Sequence, residues 1–245
     1  MLPYSPSTVA EALAAILDAA AAARGRATLA IPGGRSPGPV LTALAGLCDG
    51  FLRGRLHLLW LDERAVPVGH ADRNDKATLA AWQQGGALPA QVHRMPAEDA
   101  DLDAAALRYT ATLHAACAGA PIDACLIGIG EDGHLASLFP GHAALRDLAE
   151  VIAITDRPKP PPRRLTLGLP VLHRAEQRLV LALGADKGKI YARVRKSGPD
   201  SAVPISLLPA SGTVWYLDDA AAQAAGSVLP EPARFAESSE QPMRP

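Results

Sequence analysis

The sequence predicts a doubly wound α/β fold, in which a mostly parallel sheet carries helices on both faces. Short apolar runs alternate with helical stretches along the 245 residues, and this alternation is typical of parallel sheets. Polar or glycine-rich loops follow four apolar runs, at Gly33, Asp62, Gly128 and Gly184. Because such loops share one edge of a parallel sheet, where ligands bind, we expect a site at that edge.

The first half of the chain supplies most of the predicted elements. Thr8 and Glu11 have the spacing of a capping box, which predicts a helix from there to about Arg24. The other elements predicted here are strands at 28–31, 56–61, 92–95 and 124–129, and helices ending at about 47, spanning about 72–84 and spanning 99–118.

The second half continues the same alternation. It predicts strands at 151–154, 164–169, 178–183 and 213–217, a helix from about 184 to 196, and a short alanine-rich helix after the last strand. The proline-rich cationic segment 157–164 is either a surface linker or a stiff loop facing the substrate. We expect one domain over residues 1–230, with two small domains as the alternative, and a frayed tail from Glu231.

Composition limits the possible partners and compartments. The formal net charge is −1, which argues against the basic face typical of nucleic-acid binding. Cys48, Cys117 and Cys125 show no disulfide or metal-binding spacing, so we expect a reducing cytoplasm. The first 23 residues lack the features of a signal peptide, and no apolar run approaches the length of a membrane span, so we expect no membrane partner. Monomer and small homo-oligomer both remain open.

The segment 127–142 is the most informative motif. It follows an apolar strand, is rich in glycine, and contains Glu131, Asp132 and His134. A histidine at the ligand-binding edge of the sheet can act as a general base, although a loop histidine can also be merely solvated. Pro140 follows too soon for the helix that a dinucleotide-binding fingerprint requires.

A second glycine-rich loop predicts an anion site. Gly33, Gly34, Arg35 and Ser36 lie between a strand and a helix, where backbone N–H groups and the serine hydroxyl can surround a phosphate. The alternative is a tight turn in which Ser36 caps the helix. No Walker A motif is present.

Two further loops carry charged candidates. Arg64 can clamp a phosphate or carboxylate, and Asp62 can bind hydroxyls or orient a base; the alternative is a surface ion pair. Lys187, which follows another strand, can reach the same edge. We expect no metal site, because His134 and His142 do not share a helix face and no cysteine–histidine cluster exists.

Taken together, these segments resemble the 6-phosphogluconolactonase family. The matching runs occur in family order and cover roughly residues 8 to 217; they are 32–37, 61–67 with 70–74, 128–142, 154–166 and 184–188. The resemblance implies a fold similar to glucosamine-6-phosphate deaminase and ribose-5-phosphate isomerase. It also implies hydrolysis of 6-phospho-D-glucono-1,5-lactone to 6-phosphogluconate, the second step of the oxidative pentose phosphate pathway, without a metal or organic cofactor.

The resemblance further implies roles for individual residues. His134 matches the general base that activates water, and Asp132 or Asp62 would orient water or substrate hydroxyls. The residues expected around the phosphate or the developing oxyanion are Gly33, Gly34, Arg35, Ser36, Arg64 and Lys187, with Lys159 and Arg164 as weaker candidates. Departures from the family pattern at Arg73, Asp75 and Arg163 predict local differences at the rim of the pocket.

Two other functions remain as alternatives. The first is an aldose–ketose isomerase or amino-sugar-phosphate deaminase on the same fold, for which Asp62 could supply the carboxylate base. The second is a sugar-phosphate-binding regulatory domain. Such domains usually accompany a DNA-binding module, for which we expect no segment here.

Overall fold

The computed structural model describes residues 1–156 and 160–227, and its strands fall into two sheets. In chain order the strands are β1 (Leu2–Pro3), β2 (Ala27–Ile31), β3 (Leu56–Trp60), β4 (Asp62–Arg64), β5 (Gln91–Val92), β6 (Ala124–Gly128), β7 (Val151–Ile154), β8 (Arg164–Leu167), β9 (Gln177–Ala182) and β10 (Thr213–Leu217). The helices are α1 (Pro6–Arg24), α2 (Gly38–Leu47), α3 (Gly50–Arg53), α4 (Asn74–Gly85), α5 (Leu102–Cys117), α6 (Leu169–Arg174), α7 (Ala185–Ser197) and α8 (Asp219–Ala224). Two 3₁₀ turns span Ala143–Arg146 and Pro204–Leu207.

The larger sheet confirms the predicted fold class. Its order is β1-β10-β9-β6-β2-β3-β5, and every neighbouring pair is parallel. Right-handed crossovers place α1, α2 and α4 on one face and α5 and α7 on the other. The chain runs outward from β2 through β3 to β5, then returns to β6 on the other side of β2. The strand order therefore reverses between β2 and β6, and such a reversal opens a crevice beyond the carboxyl ends of the two strands.

A second, antiparallel sheet was not predicted. It has the order β4-β8-β7, and Asp62 pairs with Thr166 in it. The predicted strand 56–61 is therefore wrong at its carboxyl end, because the main-sheet strand ends at Trp60 and residues 62–64 form a separate strand where a loop was expected. The chain leaves the main sheet at Leu61, whose N–H still bonds to Ile31 and whose carbonyl already accepts from Leu167.

The first helix begins earlier than its capping box predicts. The N-cap is Ser5, whose Oγ accepts from the Thr8 N–H at 3.0 Å, and Pro6 occupies the first helical position. Proline suits that position because its missing N–H would have no partner in the helix. Thr8 therefore lies inside the helix instead of capping it. The short helices α3 and α6 were also not predicted.

Helix α1 corrects the expectation about apolar segments. By length and composition alone it is long and apolar enough to cross a membrane. In this fold its residues Val9, Leu13 and Leu17, spaced four apart, are completely buried in the main core. The helix thus buries its apolar stripe against the protein, as core helices do. The predicted tail from Glu231 and the candidate Lys159 lie outside the described residues.

Candidate active site

The crevice at the strand-order reversal contains most of the predicted site residues. It encloses a cavity of about 290 Å³ at the carboxyl edge of the sheet. The predicted residues that line it are Gly33, Gly34, Arg35, Ser36, Asp62, Arg64, His134, Arg164 and Lys187. Asp132 does not line the cavity, but it contacts His134. Five separate segments of the chain thus meet at one place, as the parallel sheet predicts.

The His134 loop is shaped by close backbone approach. The imidazole folds over Gly130, where an added Cβ would lie 1.9 Å from Nδ1 of His134. Gly133 has a φ of +80°, and an added Cβ there would lie 2.7 Å from Val203. Side chains at either position would displace the ring or its support. The glycines of this motif are therefore explained by the placement of His134.

Asp132 orients the imidazole. One carboxylate oxygen lies 2.5 Å from Nδ1 of His134 and also accepts the His134 N–H at 3.2 Å. Burial raises the pKa of Asp132, but the hydrogen bonds and charge of His134 outweigh it, so the pKa lies below its usual value. With Nδ1–H donated to Asp132, Nε2 is the basic nitrogen of the neutral ring. The ring also packs against Phe139, with 4.6 Å between the ring centroids.

Arg64 lines the cavity. Its Nη1 donates to the carbonyl oxygen of Asp72 at 2.9 Å, which holds the guanidinium in place. Its Nε is buried and has no hydrogen-bond partner within the described part of the chain. The positive charge of the guanidinium beside the cavity favours an anionic ligand.

Asp62 is buried, and a surface ion pair at this position is excluded. Only 5% of the residue is exposed. Its carboxylate accepts from the Ser137 hydroxyl at 2.6 Å and from Nδ2 of Asn74 at 3.1 Å. The Arg164 guanidinium lies 3.7 Å away. Both oxygens therefore have partners from the protein.

Asn74 and Glu63 are site residues that sequence reasoning missed. The side chain of Asn74 lines the cavity and packs on Gly33, where an added Cβ would lie 1.8 Å from its Oδ1. Gly33 is thus required by the packing of Asn74. Glu63 accepts the N–H groups of Arg64, Asn74 and Asp75 at 2.7–2.8 Å. Burial raises the pKa of Glu63, and these N–H groups and Arg73 only partly oppose it.

The loop at residues 33–36 had two alternative predictions, an anion site and a tight turn in which Ser36 caps the helix, and the structure contradicts the second. Helix α2 has Pro37 at its N-cap and no side-chain capping bond, so Ser36 does not cap the helix. Ser36 lines the cavity instead, and Gly34 has a φ of +93° that favours glycine. This turn lies at the ligand-binding edge, just before the start of α2, where backbone N–H groups can form an anion cradle.

The departures from the family pattern do not lie on the cavity wall. Arg73 and Asp75 are buried and bind each other through two hydrogen bonds of 3.1 and 2.9 Å. Arg73 also donates to Glu98 and to the carbonyl oxygens of Val66 and Met95. These two residues support the wall from behind, which corrects the prediction that they alter the rim.

Two other polar residues also lie outside the cavity. Arg163 donates to the carbonyl oxygen of Ala100 at 2.7 Å, away from the cavity wall. His142 caps the first 3₁₀ turn and pairs with Asp156 at 2.9 Å. Within residues 1–156 and 160–227, no three metal-binding side chains cluster together.

Comparison with known proteins identifies the family. A family model described as glucosamine-6-phosphate isomerases/6-phosphogluconolactonase matches residues 6–216. The chain belongs to this family. Among relatives in the family, the 6-phosphogluconolactonase of Mycobacterium tuberculosis strain H37Rv is 38% identical over 238 residues, which is 91% of this chain and 96% of the relative.

Solved structures of the family share the fold. The 6-phosphogluconolactonase of Thermotoga maritima superposes with a TM-score of 0.78 at 23% identity, covering 89% of this chain and 97% of that one. A monomeric glucosamine-6-phosphate deaminase superposes with a TM-score of 0.74 at 19% identity, covering 91% and 98%. Because proteins with either name share this fold, only the residues of the site can distinguish lactone hydrolysis from deamination.

Proposed function

We propose that the protein hydrolyses 6-phospho-D-glucono-1,5-lactone to 6-phosphogluconate in the pentose phosphate pathway, with His134 as general base. The observation that carries the proposal is the cavity itself, where His134, held by Asp132, lines the wall together with Arg64 and Lys187. This arrangement provides a base for water and cations for a phosphorylated substrate. The names of the curated relatives support the same reaction.

The proposed reaction begins with water. Nε2 of His134 takes a proton as the water oxygen bonds to the lactone carbonyl carbon, and a tetrahedral oxyanion forms. The bond from that carbon to the ring oxygen then breaks, and the imidazolium returns its proton to the ring oxygen. Asp132 holds Nδ1–H throughout and stabilises the imidazolium charge. The product carboxylic acid ionises in neutral solution, so each turnover releases one proton.

The phosphate is assigned to the cationic side of the cavity. Arg64 contributes its guanidinium, and Lys187 lies near the start of α7. The N–H groups of the Gly34–Ser36 turn complete the anion site. Arg164 is a weaker phosphate ligand in this proposal, because it is buried beside Asp62 and Ser137.

Asp62 argues against the deaminase alternative. Moving a proton between two substrate carbons needs a carboxylate with a lone pair directed at the substrate. In this protein Ser137 and Asn74 each donate to one oxygen of Asp62, which fixes the orientation of the carboxylate. Hydrolysis with His134 as the base does not require a carboxylate directed at the substrate. Glucosamine 6-phosphate is therefore expected to release no ammonia with this protein.

We also propose a cytoplasmic location. All three cysteines are free and buried, and burial raises the pKa of Cys48 and Cys117 to about 11 and of Cys125 to about 12. Such thiols remain protonated and unreactive near neutral pH, as suits structural cysteines in a reducing compartment.

The test is acid release from freshly generated 6-phosphogluconolactone, corrected for spontaneous hydrolysis. The wild type should accelerate hydrolysis, and folded His134→Ala should lose about a hundredfold or more in kcat. His142→Ala is the matched control, because His142 also pairs with an aspartate but does not line the cavity. No acceleration by the wild type would refute the reaction. Full activity in His134→Ala would refute the assigned base.

A further inference from the structure

We propose that Ser137 and Asp62 form a positioning pair for lactone hydrolysis, and that Asp62 acts through this pair without contacting the substrate. The inference rests on the proposed function and deepens it. Ser137 lies three residues after His134 in the same loop and is completely buried. The pair thus joins the loop that carries the base to the strand that carries Arg64.

The hydroxyl of Ser137 has a fixed orientation. It donates to Oδ2 of Asp62 at 2.6 Å and accepts from Nη1 of Arg164 at 3.4 Å. The backbone N–H of Ser137 donates to Oγ1 of Thr166 at 3.2 Å. With its hydrogen directed at one partner and a lone pair at another, this side chain anchors the loop to both β4 and β8.

Asp62 links the anchor to the other side of the crevice. Its Oδ1 accepts from Nδ2 of Asn74, and its backbone carbonyl accepts from the same nitrogen at 2.9 Å. The Asn74 side chain rests on Gly33, at the turn that forms the anion cradle. The contacts therefore run from the His134 loop through one carboxylate to the phosphate side of the cavity.

Burial and charge explain why this carboxylate stays in place. Asp62 is 5% exposed, has Arg164 as its nearby cation, and bonds through both oxygens. Rotation toward a substrate would break these bonds and leave the buried Ser137 hydroxyl without its acceptor. Asp62 keeps all these contacts in a positioning role, whereas it would lose at least one of them by rotating to act as a base.

The opposite edge of the sheet offers a matched contact. We call Asp62, Ser137 and Arg164 the carboxyl-edge triad, and Arg24, Thr28 and Asp123 the amino-edge triad. In the latter, the Thr28 hydroxyl donates to Asp123 at 2.8 Å and Arg24 pairs with the same carboxylate. Both triads combine a buried hydroxyl, a buried carboxylate and an arginine, but only the first lines the cavity. Thr28→Ala therefore controls for the loss of a buried hydroxyl alone.

The experiment is a double-mutant cycle with Ser137→Ala, Asp62→Asn and the double variant, measured as kcat, KM and thermal midpoint. Ser137→Ala should lower kcat by about tenfold and change KM less than twofold, because a displaced base slows chemistry more than binding. The double variant should lose no more than Asp62→Asn alone. Thr28→Ala should lower the thermal midpoint and keep kcat. Ser137→Cys, of similar shape but a weak donor, should fall between wild type and Ser137→Ala.

A second readout separates this inference from the proposed reaction. The imidazole NMR signals of His134 should shift in Ser137→Ala and not in Thr28→Ala, whether or not the lactone is the substrate. Absent wild-type hydrolysis together with the shift would refute the reaction and keep the pair. Additive losses in kcat, or an unshifted His134 signal in Ser137→Ala, would overturn the pair. Asp62 would then be assigned to direct contact with the substrate.

Discussion

The two edges of the main sheet contain the same buried chemistry, and only one of them holds a candidate reaction site. Each edge ties two strand ends together with a triad of hydroxyl, carboxylate and arginine. At the amino edge the hydroxyl and the arginine both bind the carboxylate of the triad. At the carboxyl edge the triad stands beside His134 and the guanidinium of Arg64, which both line the cavity. A buried carboxylate is therefore not by itself a sign of catalysis.

Cavity size also fails to distinguish the edges. The cleft at the amino edge is the larger one, about 410 Å³ against about 290 Å³. Its walls are mostly apolar, and its charged residues pair among themselves, Glu150 with His114 at 2.5 Å and with Arg174. The smaller cavity is lined by more polar groups, among them His134, Arg64 and Lys187. What separates the edges is this polar and cationic lining, as expected for a site that binds an anion.

The largest expected effect lies behind the carboxyl edge. Arg73→Met should lower the free energy of unfolding by about 3–5 kcal/mol, because it leaves the buried carboxylates of Glu63 and Asp75 without their cation. Arg24→Met at the amino edge should cost only about 1 kcal/mol, since 42% of the Arg24 side chain is exposed. Urea denaturation measures both values. Equal costs would mean that the two edges do not differ in buried charge.

The next effect concerns the aspartate beside the base. Asp132→Asn should lower kcat for the lactone by about a hundredfold, because an amide does not stabilise the protonated imidazole. Asp123→Asn, a buried aspartate at the other edge, should lower the free energy of unfolding while kcat changes less than twofold. Steady-state acid release and urea denaturation are the measurements. A kcat loss of similar size in both variants would attribute the effect to stability.

A smaller effect is expected for the phosphate. Arg64→Met should lower kcat/KM for 6-phosphogluconolactone by about tenfold to a hundredfold, which corresponds to loss of one charged hydrogen bond of about 1.5–3 kcal/mol. Unphosphorylated gluconolactone should be hydrolysed as by the wild type. Arg174→Met, in the amino-edge cleft, should change neither substrate. Equal losses on both substrates would remove Arg64 from the phosphate site.

Local sequence patterns predict the positions of the main strands and of the loops that follow them. The turn after β2 and the His134 loop after β6 were placed at one edge because strand–helix alternation implies a parallel sheet. The antiparallel strand β4 escaped prediction because its partner, β8, lies about a hundred residues away. Three residues are too few to show the period of a strand, and only the pairing of Asp62 with Thr166 reveals it.

The site shows the same division between local and distant contacts. His134 and Arg64 belong to recognisable loops, and the structure brings both to the cavity. Asn74, Ser137 and Glu63 lie within runs that match the family, but those runs do not reveal their roles, which arise from contacts between separate segments of the chain. One local signal was available for Ser137, a small polar residue between the apolar Leu135 and Leu138. The histidine pair His57–His93, at the edge of the sheet, likewise has no sequence motif, because the two residues are far apart in the chain.

That pair, His57 and His93, gives the smallest expected effect. Nδ1 of His57 lies 3.0 Å from Nε2 of His93, and the rings stack with 5.2 Å between centroids. Burial lowers the pKa of both, and in His57 the charges of His93 and Arg26 lower it further. Both rings are therefore neutral in the fold at a pH where the unfolded chain already binds protons.

The sign of the pH dependence follows from these lowered pKa values. The contribution of the two neutral rings to the free energy of unfolding should be fully present above about pH 6.5, the pKa of an unfolded histidine. It should fall as the pH decreases toward the lowered pKa values of the folded state. The slope should stay below about 1.4 kcal/mol per pH unit for each ring, because both are partly exposed and solvent screens the effect. Urea midpoints at pH 7.5 and 5.5 measure it, and His57→Asn/His93→Asn should flatten the difference. An unchanged slope there would assign the acid sensitivity to the carboxyl edge.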